Sequence, residues 1–211
     1  MKKETDIRYI PQLESLSEED LVKALRDAKE EKIECVNWNE YPYAPEVRLN
    51  AAFSDTHLAL LYSVKEEHVL GTVLENNGPV WEDSCVETFI KDPVGEGYYN
   101  IEVNCIGTPL AAHRLSRADF EHFGPEKMAG IRCFSSLEHK AADLKDGEWT
   151  VCELIPFGLL GLDKAPESLE TNFYKCGDNC RQPHYLSWSP IGLPSPNFHC
   201  PEYFGKINLI K

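Results

Sequence analysis

Several things are scarce in this chain, and each scarcity excludes something. No run of about 18–20 apolar residues occurs, which excludes a membrane-spanning helix. Positive charge is short: 21 Lys and Arg stand against 35 Asp and Glu, for a formal net charge of −14. Nucleic acid and anionic membrane surfaces are therefore poor partners for the bulk surface, while neutral ligands and cations stay open. Methionine is nearly absent, with Met128 alone beyond Met1, and no Cys-x-x-Cys-His occurs. That argues against a haem or redox module, which needs axial ligands. No apolar segment follows Met1-Lys2-Lys3, so no secretory signal is read. Most of the eight cysteines fall inside apolar strand patterns, where a free thiol behaves as a small hydrophobe. Reduced thiols and a cytoplasmic location are expected, or an exported protein if a signal peptide has been removed.

What is present is a chain of 211 residues with 42% hydrophobic content, enough for one packed domain. Residues 17–32 carry the helix signal. Ser17 with Asp20 resembles a capping box, and Leu21, Leu25 and Ala28 form a narrow apolar stripe. From residue 33 onward the pattern is of short strands with turn punctuation, at about 33–37, 46–53, 58–64, 84–91, 98–105, 108–114, 131–137, 148–155, 170–175, 184–188 and 204–210. Helical turns are expected within 118–129 and 156–162, and the Pro-rich stretch 183–201 reads as loop. The fold class expected is all-β. The arrangement is a two-sheet antiparallel β-sandwich, residues 33–211, preceded by an extension with a helix, residues 1–32.

The most informative segment is a hairpin. Tyr99, Ile101, Val103 and Cys105 alternate with Tyr98, Asn100, Glu102 and Asn104, so one face is apolar and the other polar. Pairing Lys91 with Tyr98 across the 92–97 loop sets Glu87 opposite Glu102, Cys85 opposite Asn104 and Phe89 opposite Asn100. A one-residue slip would break the apolar face of both strands. Two facing carboxylates repel unless a hydroxyl-rich ligand, a cation or a shared proton bridges them.

Trp81, just before this hairpin, and Trp188, between two serines and Pro190, lie outside any alternating apolar stripe. An aromatic ring offers area at low entropic cost, and the CH face of a pyranose stacks on it. Trp149 alternates with Val151, Glu153 and Ile155 and reads as core; Trp38 likewise reads as structural. Cys176-x3-Cys180-x3-His184 lacks the matching second ligand pair of a typical structural zinc site, and free thiols, a local disulfide or a metal all stay open there. The acidic run 143–148 reads as solvated surface.

The ordered set Trp81-Glu82-Asp83-Ser84-Cys85-Val86-Glu87, Tyr98–Asn104, Trp149…Glu153-Ile155-Pro156, Asn172-Phe173-Tyr174 and Leu186-Ser187-Trp188-Ser189-Pro190 resembles the family 9 carbohydrate-binding modules across roughly residues 35–210. The resemblance implies a β-sandwich in which two tryptophans, here Trp81 and Trp188, sandwich a terminal sugar ring. It makes Glu87 a hydroxyl ligand, and it implies a basic donor, for which His113, Arg114, Lys175 and Arg181 are candidates. It also allows structural calcium but no other cofactor. The expected function is non-catalytic binding of a mono- or oligosaccharide. Trp81 and Trp188 would stack, and Glu87, Glu102, Asn104, Asn100 and His113 would bond the hydroxyls. The alternative is a glycoside hydrolase, or an accessory of one, using Glu87 and Glu102. Facing strands suit the separation of about 5 Å of a retaining enzyme, but nothing marks which carboxyl stays neutral as the acid.

Overall fold

The computed structural model describes residues 1–211. Its elements run β1 (Glu4–Tyr9), α1 (Glu18–Arg26), β2 (Glu30–Lys32), β3 (Cys35–Val36), β4 (Glu46–Phe53) and β5 (His57–Gly71). The hairpin follows as β6 (Cys85–Lys91) and β7 (Tyr98–Asn104), then β8 (Pro109–Arg114), β9 (Phe120–His122), α2 (Pro125–Gly130), β10 (Arg132–Ser135) and β11 (Ala142–Pro156). The chain ends with β12 (Ser168–Cys176), β13 (Tyr185–Ser187) and β14 (Gly205–Ile210).

The fold is the expected β-sandwich, made of two antiparallel halves. One half orders β10-β11-β5-β4 and the other β14-β12-β6-β7-β8-β9. Their facing sides interleave in one apolar core: Leu49, Leu60, Tyr62 and Val151 come from the first half, and Val86, Ile101, Phe173 and Ile207 from the second. The halves are also joined edge to edge. β1 pairs in parallel with β14 over Glu4–Arg8 and with β4 through Arg8 and Tyr9, so the ladder is continuous. Residues 1–32 are therefore not a separate appendage. Thr5 and Ile7 of β1 are buried, and β2 pairs antiparallel with β4.

The N-terminal helix is shorter than its stripe suggests. It ends at Arg26, because Glu30–Lys32 is drawn into pairing with Arg48–Asn50. Ser17 caps it by accepting the Asp20 N–H at 3.1 Å. Its Leu21 and Leu25 cover the outer face of the first half against Ala52, Ala59, Leu61 and Leu154. The acidic run 143–148 is exposed but not irregular, since it prolongs β11 along β5 out to Gly71.

The hairpin register is the one the alternation demands: Glu87 faces Glu102, Cys85 faces Asn104, Phe89 faces Asn100 and Lys91 faces Tyr98. Its loop is held by Asp92, whose Oδ1 accepts from the Val94 and Gly95 N–H groups. Gly97 closes the loop at φ +90°, where a Cβ would lie 2.1 Å from the Arg114 carbonyl oxygen.

The polar face of this hairpin does not look out to water. The Pro-rich segment after Trp188 folds back over it, so Phe198, Cys200 and Phe204 pack with Phe89, Tyr98 and Tyr174 in a second apolar cluster. Tyr174 and Phe198 stack with centroids 4.2 Å apart. This cover turns a sheet face into the wall of a cavity.

Trp188 belongs to the interior. Its ring is fully buried in the main core against Phe173, and its Nε1–H donates to Glu31 at 3.1 Å. Gly205 makes the room: a Cβ there would lie 2.5 Å from the ring. Trp188→Ala is expected to cost about 3–5 kcal/mol of stability, as core Trp→Ala changes do. Urea unfolding measures this, and a loss below about 1 kcal/mol would contradict the placement.

Candidate functional site

A cavity of about 300 Å³ opens over the polar face of β6, β7 and β12, under the returning C-terminal loop. Its floor is acidic. Glu87 and Glu102 both line it, and each is only 4% exposed. Neighbouring antiparallel strands supply them at directly opposed positions, so their side chains leave the sheet on the same side.

Each carboxyl has a fixed surround. Asn100, two residues along β7 and so on the same face, donates Nδ2–H to Glu102 Oε1 at 2.7 Å. The other side of that amide accepts from Arg114 Nε–H at 2.8 Å. Arg114 Nη1 donates to the Arg117 carbonyl, and its guanidinium carbon lies 4.2 Å above the Phe120 ring. Glu102 Oε2 is buried and has no hydrogen-bond partner. On the other strand, Cys176 Sγ–H donates to Glu87 Oε1 at 3.1 Å.

Burial pushes both carboxyls up. Glu102 rises to about 7, with the Asn100 bond and the Arg114 charge opposing the rise. Glu87 lies well above the carboxylate range, first through burial and then through the charge of Glu102. Asp178, also at the cavity, is raised by burial. His199 is pushed down to about 3 by burial and by Arg114 and Arg117, so its ring is neutral near pH 7. Tyr98 O–H and His199 Nδ1 lie 2.9 Å apart.

The rim is aromatic. Trp81 is 38% exposed and Phe120 44%, and Tyr185 is half-buried. The Trp81 loop is anchored by its backbone, since the Asp178 N–H donates to the Trp81 carbonyl at 3.2 Å. A buried, polar, partly unsatisfied floor beneath aromatic walls suits a small ligand with hydroxyls around its edge and CH groups on its faces.

The sequence profile of Carbohydrate-binding family 9 matches residues 18–209. A protein of Bacteroides uniformis described as carbohydrate-binding is 32% identical, with all of both chains covered and a TM-score of 0.94. The chain belongs to carbohydrate-binding family 9. Its function is accordingly carbohydrate binding without catalysis. Two structures of a family 9 module from Caldicellulosiruptor kristjanssonii share the fold. The cellotriose complex is 12% identical over 98% of this chain and 93% of that one, with a TM-score of 0.61. The glucose complex is 13% identical over 99% and 96%, with a TM-score of 0.58. Among curated protein sequences none matches.

Of the residues expected at this family 9 site, the structure gathers Trp81, Glu87 and Glu102 at the cavity, with Asn100 directly beneath. Three lie elsewhere. Trp188 is locked in the core, as described above. Asn104 ends β7 and is spent on the following turn, donating to Asp83 and to the Val73 carbonyl and accepting the Thr108 N–H. His113 is paired with Tyr99 in register, so it sits on the opposite face, 2.9 Å from Asp92 Oδ2. Of the four basic candidates, the one at the cavity is Arg114, the next residue. Extending the hairpin's parity to β8 finds it, because Arg114 pairs with Tyr98. Lys175 is instead buried against Glu66 at 3.0 Å, and Arg181 lies over a different hollow beside His68. Arg117, Phe120, Asp178, Tyr185 and His199 come from short strands and loops whose approach no periodicity announces.

Calcium is not matched by these residues. Asp83, the acid beside Trp81, already accepts from Thr72 N–H and Oγ1–H, Val73 N–H and Asn104 Nδ2–H. The one convergent set of ligand-type side chains, Cys85, Glu87 and Cys176, carries two thiols where calcium wants oxygen. The Cys176–Cys180–His184 spacing does not close on a metal either. His184 Nε2 meets Lys175 Nζ at 2.7 Å, and Cys180 lies beside Ser84. A larger cleft, about 800 Å³, runs past Ile106, Phe123 and Met128, but its acids Glu18 and Glu138 are exposed.

The raised carboxyls predict a pH dependence. Below pH 4.5, the ordinary value, native and unfolded chains both hold the Glu102 proton. Between there and about pH 7 the unfolded chain ionises while the native chain does not, so stability falls as pH rises. Glu102→Gln is expected to flatten part of that decline. Denaturant midpoints at several pH values for both proteins check it, and an unchanged slope would contradict it.

Proposed function

We propose that this cavity is the sugar site. Trp81 stacks on one face of a pyranose ring, and Phe120 or Tyr185 bounds the other. Glu87, Glu102 and Arg114 bond the hydroxyls, and Asn100 holds Glu102 and Arg114 in place. The observation that carries the reading is the unpartnered buried Glu102 Oε2 beneath an exposed tryptophan. A sugar hydroxyl satisfies that oxygen, and leaving it bare is costly. The family 9 modules bound to cellotriose and glucose support a β-glucan end or a glucose unit as ligand. A cavity of about 300 Å³ suits one or two rings. With about 0.5–1.5 kcal/mol net per neutral hydrogen bond, affinity falls in the micromolar to millimolar range.

The eight cysteines are unpaired and mostly buried, which supports a reducing compartment and so the cytoplasm. No helix is long and apolar enough to cross a membrane.

Calorimetric titration with glucose and cellotriose tests the site. Trp81→Ala is expected to remove measurable binding while shifting Tm by no more than a few degrees, because an exposed platform leaves no core cavity. Glu87→Gln is expected to weaken binding by no more than several-fold, because burial already holds the Glu87 carboxyl neutral and the amide exchanges one neutral hydrogen-bonding group for another. Neither sugar should yield product on long incubation with the unaltered protein. Full affinity in Trp81→Ala, or product formation lost in Glu87→Gln, would overturn the reading.

A further inference from the structure

Beneath the proposed sugar cavity, three side chains of different chemistry converge. Cys85 and Cys176 are directly opposed on β6 and β12, and Glu87 stands two residues along β6 on the same face. Their ligand atoms lie within 4.8 Å of one another, and all three residues are buried. Tetrahedral zinc, with bonds of about 2.3 Å to sulfur and 2.0–2.2 Å to oxygen, spaces its ligand atoms about 3.5–3.8 Å apart. Small side-chain rotations on rigid strands cover the difference.

The surroundings favour a cation. Glu87, Glu102 and Asp178 all face this cavity, and the counter-charges there are Arg114 and Arg117. Glu102 Oε2 lacks a partner. Within the trio the bond made is from the Cys176 thiol to Glu87 Oε1. A bound dication would replace that shared proton.

We propose that Cys85, Cys176 and Glu87 form a binding site for a thiophilic divalent cation of the zinc class, with a fourth position open to the sugar cavity. Binding releases the two thiol protons and the proton that burial holds on Glu87, leaving two thiolates and a carboxylate on the ion with no change of oxidation state. Water fills the fourth position, or a sugar hydroxyl does when ligand is bound. The two chosen sulfurs are set by sheet register, which also explains why the sequence-adjacent Cys180 is left out.

The site itself stands on the geometry of the three ligands. Only the role of its fourth position rests on the sugar-site reading, and the experiment separates the two. Reduced, chelator-treated protein is titrated with Co²⁺ and then Zn²⁺ in the absence of sugar. One equivalent of Co²⁺ is expected to give a thiolate-to-cobalt charge-transfer band that Zn²⁺ abolishes. Zn²⁺ is also expected to protect Cys85 and Cys176, but not Cys180 or Cys200, from alkylation mapped by mass spectrometry. That second measurement needs no variant. Cys176→Ala should lose the band and Cys180→Ala should keep it, with near-ultraviolet circular dichroism confirming the fold of each. No stoichiometric band, or protection spread over all the cysteines, overturns the proposal. Glucose and cellotriose titrations with and without chelator then read the sugar site by itself. Sugar binding without a cobalt band defeats the metal site alone, and a cobalt band without sugar binding defeats the sugar site alone.

Discussion

Two buried carboxyls face each other across neighbouring strands, and the rest of the site is arranged around the cost of holding them there. Each is 4% exposed, and burial opposes the ionisation of both. The structure answers with a relay, Arg114 to Asn100 to Glu102, and with a thiol turned toward Glu87. The relay fixes rotamers before any ligand arrives. A preset polar floor of this kind lowers the ordering cost of binding, which matters for a ligand held by a few weak bonds.

The same arrangement separates the proposed sugar site from the core. The sandwich core lies on the other face of β6 and β7, built from Val86, Ile90, Ile101 and Val103. Alternation alone delivers this division, since successive side chains leave a strand on opposite sides. The cavity can therefore carry an unsatisfied buried group, Glu102 Oε2, without disturbing the apolar interior. Three tryptophans serve structure, and their indole N–H groups are spent on Leu193, Glu66 and Glu31. Trp81 alone stands at the cavity rim.

Much of this is legible in the sequence. The hairpin register, the pairing of Glu87 with Glu102 and the core role of Trp149 all follow from period-two alternation, which is a local rule. What stayed hidden depends on long-range packing. Trp188 is flanked by serines and a proline, which locally reads as a rim position. It is interior because Gly205, seventeen residues on, leaves a hollow for its ring. β1 and β2 carry no clear strand signal because both are rich in charge, and β1 finds its main partner, β14, at the far end of the chain. His113 and Arg114 are adjacent, and choosing between them required carrying the register across a third strand. The cavity's loop residues obey no period at all.

On the proposed reading, one tryptophan of the four, Trp81, meets the sugar over the paired carboxyls. The most direct test is to follow the four indole Nε1–H resonances by two-dimensional NMR while glucose or cellotriose is added. The Trp81 signal is expected to shift with ligand concentration, while those of Trp38, Trp149 and Trp188 stay in place, each held by its own acceptor. Movement of the Trp188 signal with Trp81 unaffected, or saturable binding that leaves the Trp81 signal unmoved, would contradict it.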